Sequence, residues 1–418
     1  MKKKSPRSTA SSPGRRSEPI SARPIPEPDA ARARQLVLDL LPIPGSSGRE
    51  RQVMGWIRDK LRRAGVAAHA IQTDEVHRRS PHGGEVGNLA CKLPGTVRGP
   101  RRLLMAHVDT VPLAVGARPV VRGGIVEPAD KATALGADDR AGAAVVLNTA
   151  LEILRRKLPH PPLTFFWTVQ EEVGLFGARL ARLALLGKPR LAFNFDGGSP
   201  EKITVGATGG YRMEIAVDGV ASHAGGAPEE GVSAVAVAAL AIAELHREGW
   251  HGLISKNGRS GTSNVGVIRG GEATNVVTPR VEIRAEARSH DPAFRKQIVR
   301  AFERAFHRAA QSVRNARGTC GRVVIDGRLD YEAFRLADDD PSILDAEAAV
   351  RSTGAEPVRA ISNGGVDANW LSERGIPTVT LGCGQQNPHT TEERLDLEQY
   401  HAACRIALRL ATGSYGAG

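Results

Sequence analysis

The stretch Leu103-Leu104-Met105-Ala106-His107-Val108-Asp109-Thr110-Val111-Pro112 decides how this chain folds. Its apolar run lacks the polar alternation of a half-exposed strand. It therefore reads as a strand buried on both faces of a parallel sheet. His107 and Asp109 stand at its C-terminal end, and residues two apart on a strand point the same way. A carboxylate beside an imidazole fixes the tautomer and strengthens the ring as a metal ligand. In open α/β sheets, ligands bind outside the carboxyl ends of the strands. From these residues alone, a purely structural His–Asp pair reads equally well.

Four further segments repeat the pattern. Gly136-Ala137-Asp138-Asp139-Arg140-Ala141-Gly142 places two carboxylates before a helix with apolar residues Leu147, Ala150, Leu151 and Leu154. Asp139 reads as the helix N-cap, and Asp138 as either a solvated carboxylate or one that bridges two cations. Leu163 to Gln170 is a second buried strand and runs into Glu171-Glu172. Of such a pair, one can bind metal while the other takes a proton from water. The strand Leu191 to Phe195 ends on Asp196, which reads as a ligand or a turn former. A strand from Pro377 to Leu381 leads to a loop carrying His389. Two histidines with several carboxylates suit two divalent cations sharing a bridging carboxylate. Cys383 lies near His389 in sequence and is a minor further candidate ligand.

The motifs HVDTVP (107–112), GADDRAG (136–142), QEEVGLFGA (170–178), NFDGG (194–198), SHAGGAPEEG (222–231), TNVVTP (274–279), SNGGVDANWLSERGIPTVTLGCG (362–384) and NPHTTEE (387–393) resemble those of a metallopeptidase family. That family is the di-zinc metallopeptidases that include aminoacylase, glutamate carboxypeptidase and peptidase T. The resemblance covers about residues 30 to 412 and is greatest to the peptidase-T-like branch. It implies that His107 and Asp196 hold one Zn2+, that Glu172 and His389 hold the other, and that Asp138 bridges them. Co2+ or Mn2+ would also serve. It further implies that Asp109 orients His107 and that Glu171 is the general base. The family usually has lysine where this chain has Arg140, which keeps the charge. The implied activity is hydrolysis of amide bonds in short peptides, as an aminopeptidase acting on tripeptides or similar. The alternative is an aminoacylase or carboxypeptidase acting on N-acyl amino acids.

The pattern between residues 208 and 330 changes. Strand-like Tyr211–Val217, a helical run from Glu229 to Glu248, strands at Ser263–Ile268 and Arg280–Arg288, a helical run from Asp291 to Arg314 and a strand at Arg322–Ile325 follow one another. That β-α-β-β-α-β order predicts a ferredoxin-like α+β lid. The lid would be inserted into an α/β catalytic domain, a mostly parallel central sheet flanked by helices, made of residues 29–207 and 331–418. Gly206 to Gly210 reads as a hinge. By the resemblance, His223 stabilises the oxyanion, often from a partner subunit in a homodimer formed through the lid. Asn275 and Arg288 would hold substrate. Gly365 and Asp367 would belong to a substrate-side loop.

Composition sets limits. At 418 residues the chain exceeds one ordinary core. No apolar run reaches the roughly 18 residues of a membrane span. Four cysteines without paired spacing fit a reducing, cytoplasmic setting. The net charge of +12 is not evenly placed: residues 1–28 hold seven Lys or Arg against Glu18 and Glu27. That segment reads as a disordered basic tail without an apolar signal core. Aromatics are 4%, with none of the basic–aromatic interleaving of single-strand binders, so no specific nucleic-acid partner is expected.

Overall fold

The computed structural model describes residues 26–413. Most of the expected basic tail, residues 1–25, lies outside the described residues. Its expected boundary at 28 is too late. Pro26 is buried, the Glu27 carbonyl accepts from Arg156 Nη1 at 2.6 Å, and the Glu27 carboxylate pairs with Arg409.

A nine-stranded sheet forms the first layer. Its centre is the parallel set Leu163–Thr168, Arg102–His107, Leu191–Phe195 and Thr378–Leu381. Every residue of these strands is buried, because helices cover both faces. Parallel pairing brings the four C-terminal ends to one edge. The helix Ala137–Arg156 packs behind that edge and is buried nearly all round, where the sequence suggested a single apolar stripe. Gly142 permits this approach. A Cβ there would lie 2.0 Å from the Phe195 carbonyl oxygen, so alanine cannot fit without displacing backbone. Asp139 does act as the helix cap, its Oδ1 accepting from Gly142 N at 3.0 Å.

Residues 209–331 form a separate five-stranded antiparallel sheet. Its strand order is Gly252–Lys256, Arg259–Gly270, Arg280–Ser289, Gly209–Asp218, Arg322–Tyr331. The last four strands have the predicted ferredoxin-like order, and Gly252–Lys256 is an added edge hairpin that the sequence reading missed. The helices Ala234–Arg247 and Pro292–Ser312 cover one face and enclose their own core around Phe294, Phe302 and Phe306. The first helix starts later than its periodicity suggested because Ser233 caps it, accepting from Ala236 N at 3.1 Å. Along Arg280–Ser289 burial alternates residue by residue, so the other face is open.

The predicted glycine hinge takes a different form. Gly206, Gly209 and Gly210 lie inside strands, not in a turn. They serve close approach: a Cβ on Gly210 would meet the Tyr331 ring at 2.8 Å, and one on Gly206 the Phe334 carbonyl at 2.8 Å. A small four-stranded sheet of Gln385–Gln386, Arg394–Asp396, Ile125–Pro128 and Pro119–Arg122 supports the loop carrying His389.

Candidate metal centre and active site

Strand ends supply the site. His107 closes its strand and is 2% exposed. Its Nε2 lies 3.2 Å from Asp138 Oδ1 and 4.0 Å from Glu171 Oε2. His389 Nε2 lies 2.8 Å from Glu172 Oε1 and 3.3 Å from Asp138 Oδ2. Two groups therefore have metal-ligating geometry: His107, Asp138 and Asp196, and Asp138, Glu172 and His389. Within each, the ligand atoms all lie within 4.8 Å of one another. Asp138 belongs to both and offers one oxygen to each histidine. Glu171 stands beside them in neither group. His107, Asp138, Glu171, Glu172, Asp196, His389 and Gly365 all line one cavity of about 350 Å3.

Asp109 does more than the sequence suggested, and by different atoms. Its backbone oxygen, at 3.0 Å, is the hydrogen-bond partner of His107 Nδ1, while its carboxylate is 3.5 Å away. The carboxylate instead accepts from Ser47 Oγ at 2.7 Å and from the amides of Glu171 and Glu172 at 3.0 and 3.2 Å. One residue thus fixes the imidazole and pins the acidic pair. Arg140 is buried beneath it and donates to the carbonyls of Leu40 and Gly45. Burial draws the Arg140 pKa down to about 10, against the opposing pull of Asp109 and Glu50.

Sequence reasoning missed two supports. Glu393 accepts from the amides of Gly136 and Asp138 at 2.7 and 2.9 Å and so fixes the backbone that presents the shared carboxylate. Asp139 accepts from the His107 amide at 3.2 Å and from Gln385 Nε2 at 2.7 Å. Glu393 lies within the quoted NPHTTEE motif, but nothing in its spacing shows where it points. The loops carrying the acidic pair and His389 hold non-glycine residues in left-handed conformation: Gln170 at φ +55° and His389 at +64°. Such backbone persists where the surrounding structure imposes it, as at ligand sites. Cys383 is buried 3.6 Å from Asp139 Oδ1 and belongs to neither ligand group.

Electrostatics shows a site short of positive charge. Burial pushes the Asp196 carboxyl up to about 8, and Asp138 adds to the rise. Burial also carries Glu171 well above the carboxylate range, with Asp196, Asp367 and Glu172 adding to it against the pull of His107. Burial would raise Asp138 too, but hydrogen bonds from both histidines hold it below its usual value. Hydrogen bonds to Asp138 and Glu172 raise His389 to about 10. Burial opposes a charge on His107, yet Glu171 and the bonds to Asp109 and Asp138 carry its pKa well above the ordinary imidazole value. Divalent cations would replace those protons, and mixed imidazole and carboxylate donors suit them.

The other predicted residues are not gathered here. Asp367 is buried under the cavity, not on its wall, and accepts the Thr168 hydroxyl. Burial pushes its carboxyl up to about 6. His223 is exposed, and its Nδ1 accepts from the amides of Gly225 and Gly226 at 3.2 and 2.9 Å. Asn275 is beside it, its carbonyl accepting from Ala224 N at 2.9 Å. Neither is part of the cavity wall formed by the same chain. Arg288 is half-buried on the five-stranded sheet and forms a two-point pair with Glu286 at 2.9 and 3.0 Å.

A parallel-sheet edge with two groups of cation-ligating side chains that share one carboxylate, and a glutamate beside them in neither group, fits a metal-dependent hydrolase. The chain belongs to peptidase family M20/M25/M40, whose family model matches residues 103–413. Within it the chain is a peptidase-T-like metallopeptidase. It is 32% identical over 363 residues to the uncharacterized protein YqjE of Bacillus subtilis, covering 87% of this chain and 92% of that one. The solved structure of a tripeptidase from Staphylococcus aureus superposes with a TM-score of 0.84 at 29% identity, covering 93% of this chain and all of that one. Aminopeptidase PepT from Bacillus cereus superposes at 0.78 with 30% identity, covering 92% of this chain and 98% of that one.

Proposed function

We propose that this protein is an aminopeptidase that releases the first residue from tripeptides and similar short peptides. The observation that carries the reading is Asp138 shared between two groups of metal-ligating geometry, with Glu171 in neither group and 4.0 Å from His107 Nε2. The likeness to a tripeptidase and to aminopeptidase PepT supports the substrate class. The metals are two Zn2+ per chain, replaceable by Co2+ or Mn2+. When bound, they supply a Lewis acid for the scissile carbonyl and lower the pKa of water.

The chain's own groups do the rest. His107 and Asp196 would hold one ion and Glu172 and His389 the other, with Asp138 shared between the two groups. Asp109 keeps His107 and the acidic pair in register. Glu171 takes the proton from the attacking water and returns it to the leaving amine. Gly365 lies on the substrate wall, and Asp367 supports that wall from below. His223 donates to the oxyanion, and Asn275 and Arg288 hold substrate from the lid.

His223 is exposed and outside its own chain's cavity, which favours supply by the partner lid of a homodimer. Mixing His223→Ala with Glu171→Gln protein tests this. If the histidine crosses the interface, each heterodimer has one intact site and should recover up to about half of a wild-type dimer's activity per heterodimer. Confirmed subunit exchange without recovery would assign His223 to its own chain.

A cytoplasmic setting is supported by the four free cysteines. Among the described residues no helix is long and apolar enough to cross a membrane. The substrate reading is tested by assaying trialanine, N-acetylalanine and N-acetylated trialanine side by side on metal-loaded enzyme. Release of free alanine from trialanine alone is expected. Equal or faster cleavage of N-acetylalanine would make the protein an aminoacylase.

A further inference from the structure

We propose that Lys202 is a specificity-determining residue that binds a carboxylate group of the substrate. The inference rests on the peptidase reading above and names the chemical group of the substrate that the cavity selects. Lys202 opens the strand Lys202–Ala207, which pairs with the site strand Thr378–Leu381 through Ile203–Leu381 and Thr204–Thr380. This register sets Lys202 at the ligand-bearing edge, one position beyond the paired Ile203. Side chains alternate along a strand. Ile203 is fully buried in the main core, whereas Lys202 and Thr204, two apart, both line the metal cavity.

The charge balance of the wall singles out this residue. Asp138, Glu171, Glu172 and Asp196 line it, and Lys202 is its one Lys or Arg among the described residues. The carboxylates on that wall are accounted for by the two cation groups and by the general base. Lys202 has no such role. It is exposed and forms no ion pair among the described residues, although Glu201 is adjacent in sequence and accepts from Ser199 Oγ at 2.7 Å. Ser199, Thr204, Ser362 and Thr380 line the same cavity. An ammonium group without an ion pair on the wall of the cavity is chemistry that recognises a carboxylate. In a tripeptide that group is the C-terminal carboxylate or an acidic side chain.

The test measures binding without turnover, on zinc-loaded Glu171→Gln protein. Calorimetry would compare trialanine, trialanine amide and alanyl-glutamyl-alanine amide. Trialanine should bind about 10- to 100-fold more tightly than its amide, the range of a hydrogen bond between charged groups. Adding Lys202→Met should abolish that preference and leave the amide's affinity unchanged, while Lys202→Arg should restore much of it. If the glutamyl amide regains affinity in a Lys202-dependent way, the group read is a side-chain carboxylate. Equal affinity for all three peptides, a preference that survives Lys202→Met, or no binding of any of them overturns the proposal. Wild-type turnover separates this result from the parent reading. A Lys202-dependent preference in an enzyme that cleaves no tripeptide would sink the peptidase reading alone. Equal cleavage of trialanine and its amide, without the binding preference, would sink the Lys202 assignment alone.

Discussion

Glu171→Gln should retain both metal ions and lose about 10²- to 10⁴-fold or more in turnover, the range expected for removing a general base. Glutamine matches glutamate in shape, so the cavity wall should not collapse. The Glu171 amide would still donate to Asp109 Oδ1, the 3.0 Å bond that fixes the backbone here. Only proton transfer is removed. Glu172→Gln should behave differently, because Glu172 Oε1 lies 2.8 Å from His389 Nε2 within a ligand group. That variant should bind its second ion weakly and recover activity when metal is added in excess. Elemental analysis beside steady-state kinetics distinguishes the two. If Glu171→Gln loses metal while Glu172→Gln keeps both ions and loses turnover, the roles of the pair are reversed.

Asp138→Ala should be the most damaging change to the metals themselves. Asp138 contributes to both ligand groups, so its loss leaves His107 with Asp196 on one side and Glu172 with His389 on the other. Both ions should bind more weakly by more than the roughly 10- to 100-fold that loss of an outer-sphere partner costs. Activity should fall below detection at trace metal. His389→Ala removes a ligand from one group only and should leave one ion tightly held. A protein in which Asp138→Ala retains one ion at wild-type affinity would not have a bridging carboxylate at this position.

Much of this site could be read from sequence, for a physical reason. A strand buried on both faces cannot be polar, so a His, Asp or Glu at its end stands out against an apolar run. His107, Asp196 and the Glu171–Glu172 pair were visible on that ground. Parallel pairing then brings their strand ends to one edge, and Asp138 and His389 join them from the helix start and a loop. The supports could not be read this way. Glu393 reaches the Asp138 amide across 255 positions, and Ser47 reaches Asp109 across 62. Both contacts are set by the fold and not by local pattern. For Asp109 the residue was legible but the atom was not, since spacing does not say whether a carbonyl or a carboxylate meets the imidazole. The hairpin strand Gly252–Lys256 was missed because it is short and follows a helix end directly. Gly206 to Gly210 looked like a hinge because glycine's two uses, free dihedrals and close packing, look alike in sequence.

The most direct test of the account is a metal titration of the chelated wild-type protein, followed by elemental analysis and trialanine turnover at each step. Two divalent ions per chain, no turnover of the stripped protein, and full turnover restored as both sites fill are expected. Full turnover of a metal-free protein, or saturation by a single ion, would contradict it.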